Sequence, residues 1–150
     1  MSDTARRFLL GIFVLGISGV NAELLLLDHH EDLSQLIPLV LSAIAVVSMT
    51  VVVVRPSGPA VRAFQAVMAL FLLSGMVGSG LHFKANIEFQ LEMDPALRGM
   101  ALFQKAIRAK APPALAPGAM IQLGLIGLAY TLRHPAIRRG GSLDSSEEKP

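Results

Sequence analysis

Long apolar stretches alternate with short polar ones along this chain. The segments 36–54, 63–81 and 111–132 contain no charged residue, and the run 8–27 is interrupted only by Asn21 and Glu23. Each stretch, wound as a helix, is long enough to cross a hydrocarbon layer of about 30 Å. Because a helix satisfies its own backbone hydrogen bonds inside lipid, the pattern predicts four transmembrane helices.

The composition supports this interpretation. Apolar residues make up 53% of the chain and charged residues only 16%, whereas a soluble domain of this size carries more charge on its surface. We therefore predict an all-α, integral membrane four-helix bundle over residues 1–136. Its predicted spans are about 6–27, 36–54, 62–84 and 112–132, and a disordered polar tail follows at 137–150.

The N-terminal stretch ARRFLLGIFVLGISGVNAE also has the features of a secretory signal peptide. It has a basic start, an apolar centre and the sequence Val20-Asn21-Ala22, which resembles a cleavage site. Cleavage after Ala22 would leave three spans. Because the apolar run continues through Leu24–Leu27 to full spanning length, we expect an uncleaved first helix.

The basic residues near the helix ends predict the orientation of the chain. One side of the predicted bundle carries Arg6, Arg7, Arg55, Arg62, Arg133, Arg138 and Arg139. Since basic residues in short loops favour the cytoplasmic side, we expect both termini in the cytoplasm. The connection 82–113 would then lie outside, although it also carries five basic residues, Lys84, Arg98, Lys105, Arg108 and Lys110.

This outer connection predicts a second structural feature. We expect the third helix to continue beyond the membrane as far as Asp94-Pro95, where Asp94 caps a new helix. In that helix Leu97, Met100, Phe103 and Ile107 recur at helical spacing, opposite Arg98, Lys105 and Arg108. The pattern favours a short amphipathic helix on the membrane surface, with a partner-binding helix or a lid as the alternative.

Histidine and acidic side chains are concentrated at the outer ends of the first and third predicted helices. Glu23 lies inside the first span, where a carboxylate is costly and is normally paired or faces the protein interior. If the outer ends of both helices lie side by side, the polar side chains there converge. The candidate metal ligands are Glu23, His30, His82 and Glu88, with Asp28, His29, Asn86 and Glu92 as further members.

This set of residues leaves several functions open. Imidazoles with carboxylates suit a divalent metal such as Zn²⁺, Mn²⁺ or Fe²⁺, and His30 with His82 would suit a haem. A proton relay through Glu23 is a third possibility. The simpler interpretation, which we favour, is a solvated turn plus one ion pair of Glu23 with Lys84 or His82.

Small residues predict close helix packing. Ser74, Gly75, Gly78, Ser79 and Gly80 lie together in the third span, and Gly11, Gly16, Gly19, Gly118, Gly124 and Gly127 lie in the first and fourth. Small residues at such spacing let two helix backbones approach closely in lipid. Glycine is generally abundant in membrane helices, which is the alternative explanation. Because the small residues are concentrated in 74–80, close packing is the better interpretation.

Other classes of function lack support in the sequence. The chain has no cysteine, which excludes disulfides, thiolate metal sites and thiol nucleophiles, and no GxSxG, HExxH or phosphate-binding glycine loop. The net charge of +2 is small and its basic residues do not follow one face, so nucleic-acid binding is unsupported.

The segments GLHFKANIEFQLEMDP and APPALAPGAMIQLGLIGLAYTLRHPA resemble a family of small, uncharacterised, bacterial four-span integral membrane proteins. The resemblance covers 79–136 and implies a bacterial inner-membrane location and a four-span fold, but no activity or ligand. We expect a non-enzymatic subunit or accessory component that binds the lipid bilayer and other membrane chains or further copies of itself. A metal-binding or haem-binding membrane protein is the alternative.

Overall fold

The computed structural model describes residues 1–26, 33–109 and 116–137 of the 150-residue chain. Its helices, in chain order, are α1 (Asp3–Leu26), α2 (Leu33–Val54), α3 (Gly58–Met93), α4 (Gly99–Ile107) and α5 (Ala116–Thr131). Within these three ranges the chain contains no β-strand. The prediction of an all-α protein is therefore confirmed.

Three of these helices are long and apolar enough to cross a membrane. They are α1, the segment Gln35–Val54 of α2, and α3. α5 is apolar but has only 16 described residues, which corresponds to about 24 Å of helix and is shorter than a full span. By contrast, the 36 residues of α3 correspond to about 54 Å, so α3 extends well beyond any one hydrocarbon layer.

α5 lies between α1 and α3 and runs antiparallel to both. Near the start of α1, the Nη2 of Arg6 donates to the carbonyl of Leu132, which directly follows α5. Near the start of α3, Gln65 donates to Thr131 at the end of α5 over 3.1 Å. Further along α3, Gly75 faces Pro117 at the beginning of α5.

Aromatic side chains fill the centre of this packing. The rings of Phe13 in α1 and Phe64 in α3 meet edge to face with their centroids 5.8 Å apart. Phe64 makes a second edge-to-face contact with Tyr130 of α5 at 6.4 Å. Both phenylalanines are fully buried, so the three helices share one apolar core.

The four apolar helices α1, α2, α3 and α5, called the long helices below, are not equally close to one another. α3 packs extensively against α5 and α2, and α1 packs mainly against α5 and touches α2 only slightly. α1 and α3 are therefore diagonal partners that meet through Phe13 and Phe64 instead of forming a continuous interface. Since each runs antiparallel to α5, α1 and α3 point the same way.

Glycines allow α5 to approach α3 closely. A Cβ added at Gly75 would lie 2.6 Å from the carbonyl oxygen of Pro117, and one at Gly124 would lie 2.9 Å from the carbonyl oxygen of Met68. A Cβ at Gly127 would meet the thioether of Met68. Close packing at the glycine-rich part of α3 is thus confirmed, and its partner is the glycine-rich face of α5.

The end of α3 lies where the sequence indicates, but the next helix does not. α3 ends at Met93, and Asp94 closes it by donating its backbone N–H to Gln90. The carboxylate of Asp94 accepts from the backbone N–H of Ala96, which forms a tight turn. The prediction that Asp94 caps α4 is wrong, because the turn occupies this carboxylate and α4 begins only at Gly99.

α4 packs back on the C-terminal part of α3. Asn86 donates its side-chain amide to the carbonyl of Ala106 over 3.1 Å, and Phe83 meets Phe103 edge to face at 5.7 Å. Ala106 is completely buried by this contact. Met100 and Ile107 remain exposed, so α4 uses only one part of its apolar surface to hold α3.

Candidate functional site

The described members of the predicted outer cluster lie on α1 and α3. Glu23 is half-buried near the end of α1, and His82 is half-buried in the second half of α3. Asp28, His29 and His30 lie outside the described residues. The structure therefore places some members of the predicted set and leaves the remainder as a prediction.

Glu23 and His82 differ in height along the helices. Phe13 and Phe64 are in ring contact, and they provide a common level for the two parallel helices α1 and α3. Glu23 lies ten residues beyond Phe13, whereas His82 lies eighteen residues beyond Phe64. At the rise of an α-helix, this difference places His82 about 12 Å further along than Glu23. A site shared by Glu23 and His82 would require both side chains at the same level along the helices, and by this count they are not.

The other polar residues on α3 have local roles. Glu88 forms an ion pair with Lys84, one helical turn earlier, at 3.6 Å, and both side chains are largely exposed. Such an exposed pair contributes little to stability. Asn86 links α3 to α4, and Glu92 is exposed. In the structure Lys84 therefore pairs with Glu88, whereas the sequence suggested Glu23 as its partner.

Within the three described ranges, no group of three or more His, Asp or Glu side chains is arranged to hold a metal ion. Residues 27–32 lie outside these ranges and contain the predicted ligands Asp28, His29 and His30. The metal or haem hypothesis thus stays a prediction, and its test is chemical analysis of the purified protein.

A cleft lies at the opposite end of the molecule, where α1 and α3 begin and α2 and α5 end. We call it the arginine-end cleft. Its volume is about 640 Å³. Its lining is Arg6, Arg7, Leu10, Val52, Val53, Pro56, Ser57, Gly58, Tyr130, His134, Pro135 and Ala136. All four long helices, or the residues directly after them, contribute to this wall.

Arg6 joins two helix ends at this cleft. Its Nη2 donates to the carbonyls of Leu132 and Arg133, at 3.3 and 2.9 Å. These carbonyls lie just after α5, where a helix exposes acceptors without partners and carries a partial negative charge. Arg133 itself has a positive φ of 52°, the left-handed conformation that commonly ends a helix. Arg6 therefore fixes the start of α1 to the end of α5.

His134 lies behind Arg6 in the same wall and is only 7% exposed. Burial lowers the pKa of His134 below its ordinary value, and the positive charge of Arg6 lowers this pKa further. The Nδ1 of His134 accepts a hydrogen bond from the backbone N–H of Ala136 over 3.3 Å. This bond requires a neutral imidazole with its proton on Nε2, so the hydrogen bond and the lowered pKa agree.

The lining of the arginine-end cleft contains both apolar and cationic side chains. Leu10, Val52 and Val53 are its apolar members, and Arg6 and Arg7 are its arginines. No acidic side chain contributes to this lining among the described residues. The geometry suits a ligand that is itself anionic at one end and apolar at the other.

Sequence reasoning missed this cleft. It used Arg6 and Arg7 only as indicators of orientation, and it set His134 aside because this histidine lies at the opposite end from the other three. The available signal was the coincidence of an Arg-Arg pair at the start of the first span with Tyr130, Arg133 and His134 at the end of the last. In a bundle of alternating direction, those two ends lie together.

Comparison of this chain with protein families, with curated proteins and with solved structures gave no match.

Proposed function

We propose that this chain is a four-span integral membrane protein that serves as a non-enzymatic subunit or accessory component of a membrane complex. We further propose a bacterial inner-membrane location with both termini in the cytoplasm. The observation that carries the proposal is the outward surface of the long helices, which is apolar on all of them.

This surface has the composition expected for contact with lipid. Large apolar side chains point outward on α1, α2, α3 and α5, among them Phe8, Leu15, Val40, Val47, Val54, Leu70, Leu73, Met76 and Leu125. A soluble protein rarely exposes a contiguous apolar patch of more than a few hundred Å². In a bilayer the same side chains face lipid tails of similar polarity and carry no such cost.

Two facts support α5 as a fourth span. Its described residues belong to the uncharged segment 111–132, which is long enough to cross the hydrocarbon. α5 also runs antiparallel between α1 and α3, from the level of Gly78 to the level of Arg6. If α1 and α3 cross the membrane, α5 lies inside the same layer and crosses it in the opposite direction.

For α4 we propose a position on the outer membrane surface. Met100, Phe103 and Ile107 form an exposed apolar strip on α4, and Phe89 and Met93 of α3 are exposed nearby in the chain. The basic side chains Arg98, Lys105 and Arg108 are also exposed. An exposed helix with one apolar strip and a basic side is typical of an interfacial helix.

The proposed contact with partner chains is the outer face of α1. It is formed by Gly11, Leu15, Ser18, Gly19 and Ala22, all of which are exposed. Cβ atoms added at Gly11 or Gly19 would meet no atom of the described residues within 4 Å. By contrast, Gly16 faces Leu123 inside the structure. Two of the three glycines of α1 are thus not needed for the packing of the chain itself, and small residues on an outward face suit a second helix in lipid.

Photo-crosslinking in native membranes tests this proposal. A photoreactive residue is introduced at Leu15 and, as a matched control, at Leu70, an outward leucine on α3. We expect Leu15 to crosslink to one defined chain, or to a second copy, in high yield, and Leu70 to crosslink to lipid. Gly19→Leu should abolish the Leu15 crosslink without loss of the folded protein, because no described residue meets a Cβ at this position within 4 Å.

Equal, low crosslinking at both positions would contradict the subunit proposal. Extraction of the chain from membranes by alkaline carbonate would contradict the membrane-spanning part, since an integral bundle resists this treatment.

A further inference from the structure

The arginine-end cleft combines three properties of a lipid site. Its lining includes apolar side chains, it includes two arginines, and no described acidic side chain neutralises these arginines. It also lies between α1 and α2, the pair of neighbouring long helices with the least mutual contact. If α1 and α2 cross the membrane, a cleft between these two loosely packed helices is accessible from the bilayer.

We propose that the arginine-end cleft binds an anionic phospholipid, with the phosphate beside Arg6 and Arg7 and the start of one acyl chain along Leu10 and Val53. This inference rests on the proposed membrane location. It adds a specific ligand class and site to it. Basic pockets between membrane helices at the cytoplasmic side are suited to anionic headgroups, because the arginines supply both charge and hydrogen-bond donors.

The two arginines have different roles in this site. The Nη2 of Arg6 is occupied by the carbonyls of Leu132 and Arg133, and its Nε is buried without a hydrogen-bond partner among the described residues. A charged group that is partly desolvated in this way is costly, and an anion in the cleft offsets the cost. The side chain of Arg7 is exposed along the same wall and provides the direct contact with phosphate.

The beginning of α3 adds further donors. Ser57 is the N-cap of α3 and uses its Oγ to accept from the backbone N–H of Ala60. The hydroxyl hydrogen of Ser57 is a separate donor on the wall of the cleft. Ser57 and Gly58 also lie at the positive end of the α3 dipole, which favours an anion near them.

The size of the cleft favours a lipid over a bare ion. A volume of about 640 Å³ lies in the range of sites for organic ligands and greatly exceeds that of a phosphate ion. A free phosphate would also leave the exposed apolar surface of Leu10 and Val53 uncovered. A phospholipid fills both parts with one molecule.

Lipid binding by the full-length chain in mild detergent tests the proposal. Native mass spectrometry or equilibrium dialysis measures the affinity for short-chain phosphatidylglycerol, for phosphatidylcholine of the same chain length, and for inorganic phosphate. The test variant is Arg7→Gln. The matched control is Arg55→Gln, which removes an exposed charge at the same end of the molecule but outside the cleft.

We expect phosphatidylglycerol to bind about tenfold more tightly than phosphatidylcholine. Inorganic phosphate should bind more weakly than either lipid. Arg7→Gln should weaken phosphatidylglycerol binding about fivefold, and Arg55→Gln by less than about twofold. Circular dichroism confirms that both variants remain helical. Arg7→Lys, which keeps the charge, should retain most of the preference for the anionic lipid.

Four results would overturn the inference. They are equal affinity for the two lipids, equal effects of Arg7→Gln and Arg55→Gln, inorganic phosphate binding as tightly as phosphatidylglycerol, and binding that appears only after deletion of the polar tail 138–150. The last result would make the tail the occupant of the cleft. Each of these can occur in a chain that resists carbonate extraction, so the inference can fail while the proposed membrane location stands.

Discussion

The contact between α3 and α5 provides the sharpest test of the packing. In Gly75→Ala the new methyl group would lie 2.6 Å from the carbonyl oxygen of Pro117 and 2.7 Å from the Cγ1 of Ile121. Ordinary van der Waals contact begins near 3.4 Å, and one of the clashing atoms belongs to the backbone. Side-chain rotation therefore cannot relieve the clash, and the two helices must move apart by several tenths of an ångström.

Overpacking of this kind costs about 1–3 kcal/mol, and the loss of contacts along the remaining interface acts in the same direction. The matched control is Gly80→Ala on the same helix, where the new Cβ meets no described atom within 4 Å. Since alanine is favoured over glycine in a helix by roughly 0.5–1 kcal/mol, this control should be neutral or slightly stabilising. Gly127→Ala should lie between the two, because the flexible side chain of Met68 provides much of its clash.

The assay is reversible unfolding in mixed micelles of a mild detergent and sodium dodecyl sulfate, followed by circular dichroism. The free energy of unfolding should decrease in the order Gly80→Ala, Gly127→Ala, Gly75→Ala. If Gly75→Ala and Gly80→Ala have the same stability within about 0.5 kcal/mol, the close approach of α3 and α5 is refuted.

Three further predictions concern the core, His134 and the metal hypothesis. Phe13→Ala should destabilise the protein by on the order of 2 kcal/mol, because it leaves a cavity in the core. This is less than the roughly 3–5 kcal/mol typical in water, since the transfer of a ring between protein and lipid contributes little. Phe8→Ala, at an outward position, is the control and should have almost no effect. Because the pKa of His134 is lowered in the folded protein, the stabilisation from its neutral form is complete above pH 6.5 and is lost as the pH falls below this value. His134→Gln should remove this pH dependence of the free energy of unfolding. An unchanged dependence on pH in the variant would exclude His134 as its cause. Elemental analysis and a visible spectrum of the purified chain should show stoichiometric metal or haem only if the His/Glu hypothesis is correct, with loss in His82→Ala; a colourless, metal-free protein would end that hypothesis.

The helices could be predicted from the sequence because lipid leaves the backbone so few alternatives. Apolar runs of about 20 residues specify α1, α2 and the first part of α3 almost directly. The end of α3 was also predictable, since Asp94-Pro95 interrupts a helical pattern. The start of α4 was not, because the carboxylate of Asp94 bonds to Ala96 and completes a turn instead of capping a helix.

The relative position of the helices was less accessible to sequence reasoning. The apolar pattern gives the length of each helix but not its height relative to a neighbour. Glu23 and His82 were grouped because each lies near the end of an apolar run. The height is set instead by specific contacts, above all Phe13 with Phe64, which place His82 about 12 Å beyond Glu23.

The glycines illustrate the same limit. The sequence identifies them as sites of close approach but cannot distinguish inward from outward positions. In the structure Gly75, Gly124 and Gly127 are needed for packing between α3 and α5, whereas Gly11 and Gly19 are open. The arginine-end cleft likewise depends on four chain segments that are far apart in sequence, and no local motif indicates it.

The central claim is that the chain crosses the membrane four times, with both termini on one side. The chain has no cysteine, so single cysteines can be labelled without background. Pro56→Cys lies in the exposed turn before α3, Ala96→Cys lies in the exposed turn after it, and Ser142→Cys lies in the C-terminal segment.

A membrane-impermeant maleimide applied to right-side-out and inside-out vesicles gives the direct measurement. We expect Ala96→Cys to be labelled only in right-side-out vesicles, and Pro56→Cys and Ser142→Cys only in inside-out vesicles. Labelling of Ser142→Cys together with Ala96→Cys would leave three spans, and labelling of all three from one side would contradict the four-span fold, because neither α3 nor α5 would then cross the membrane.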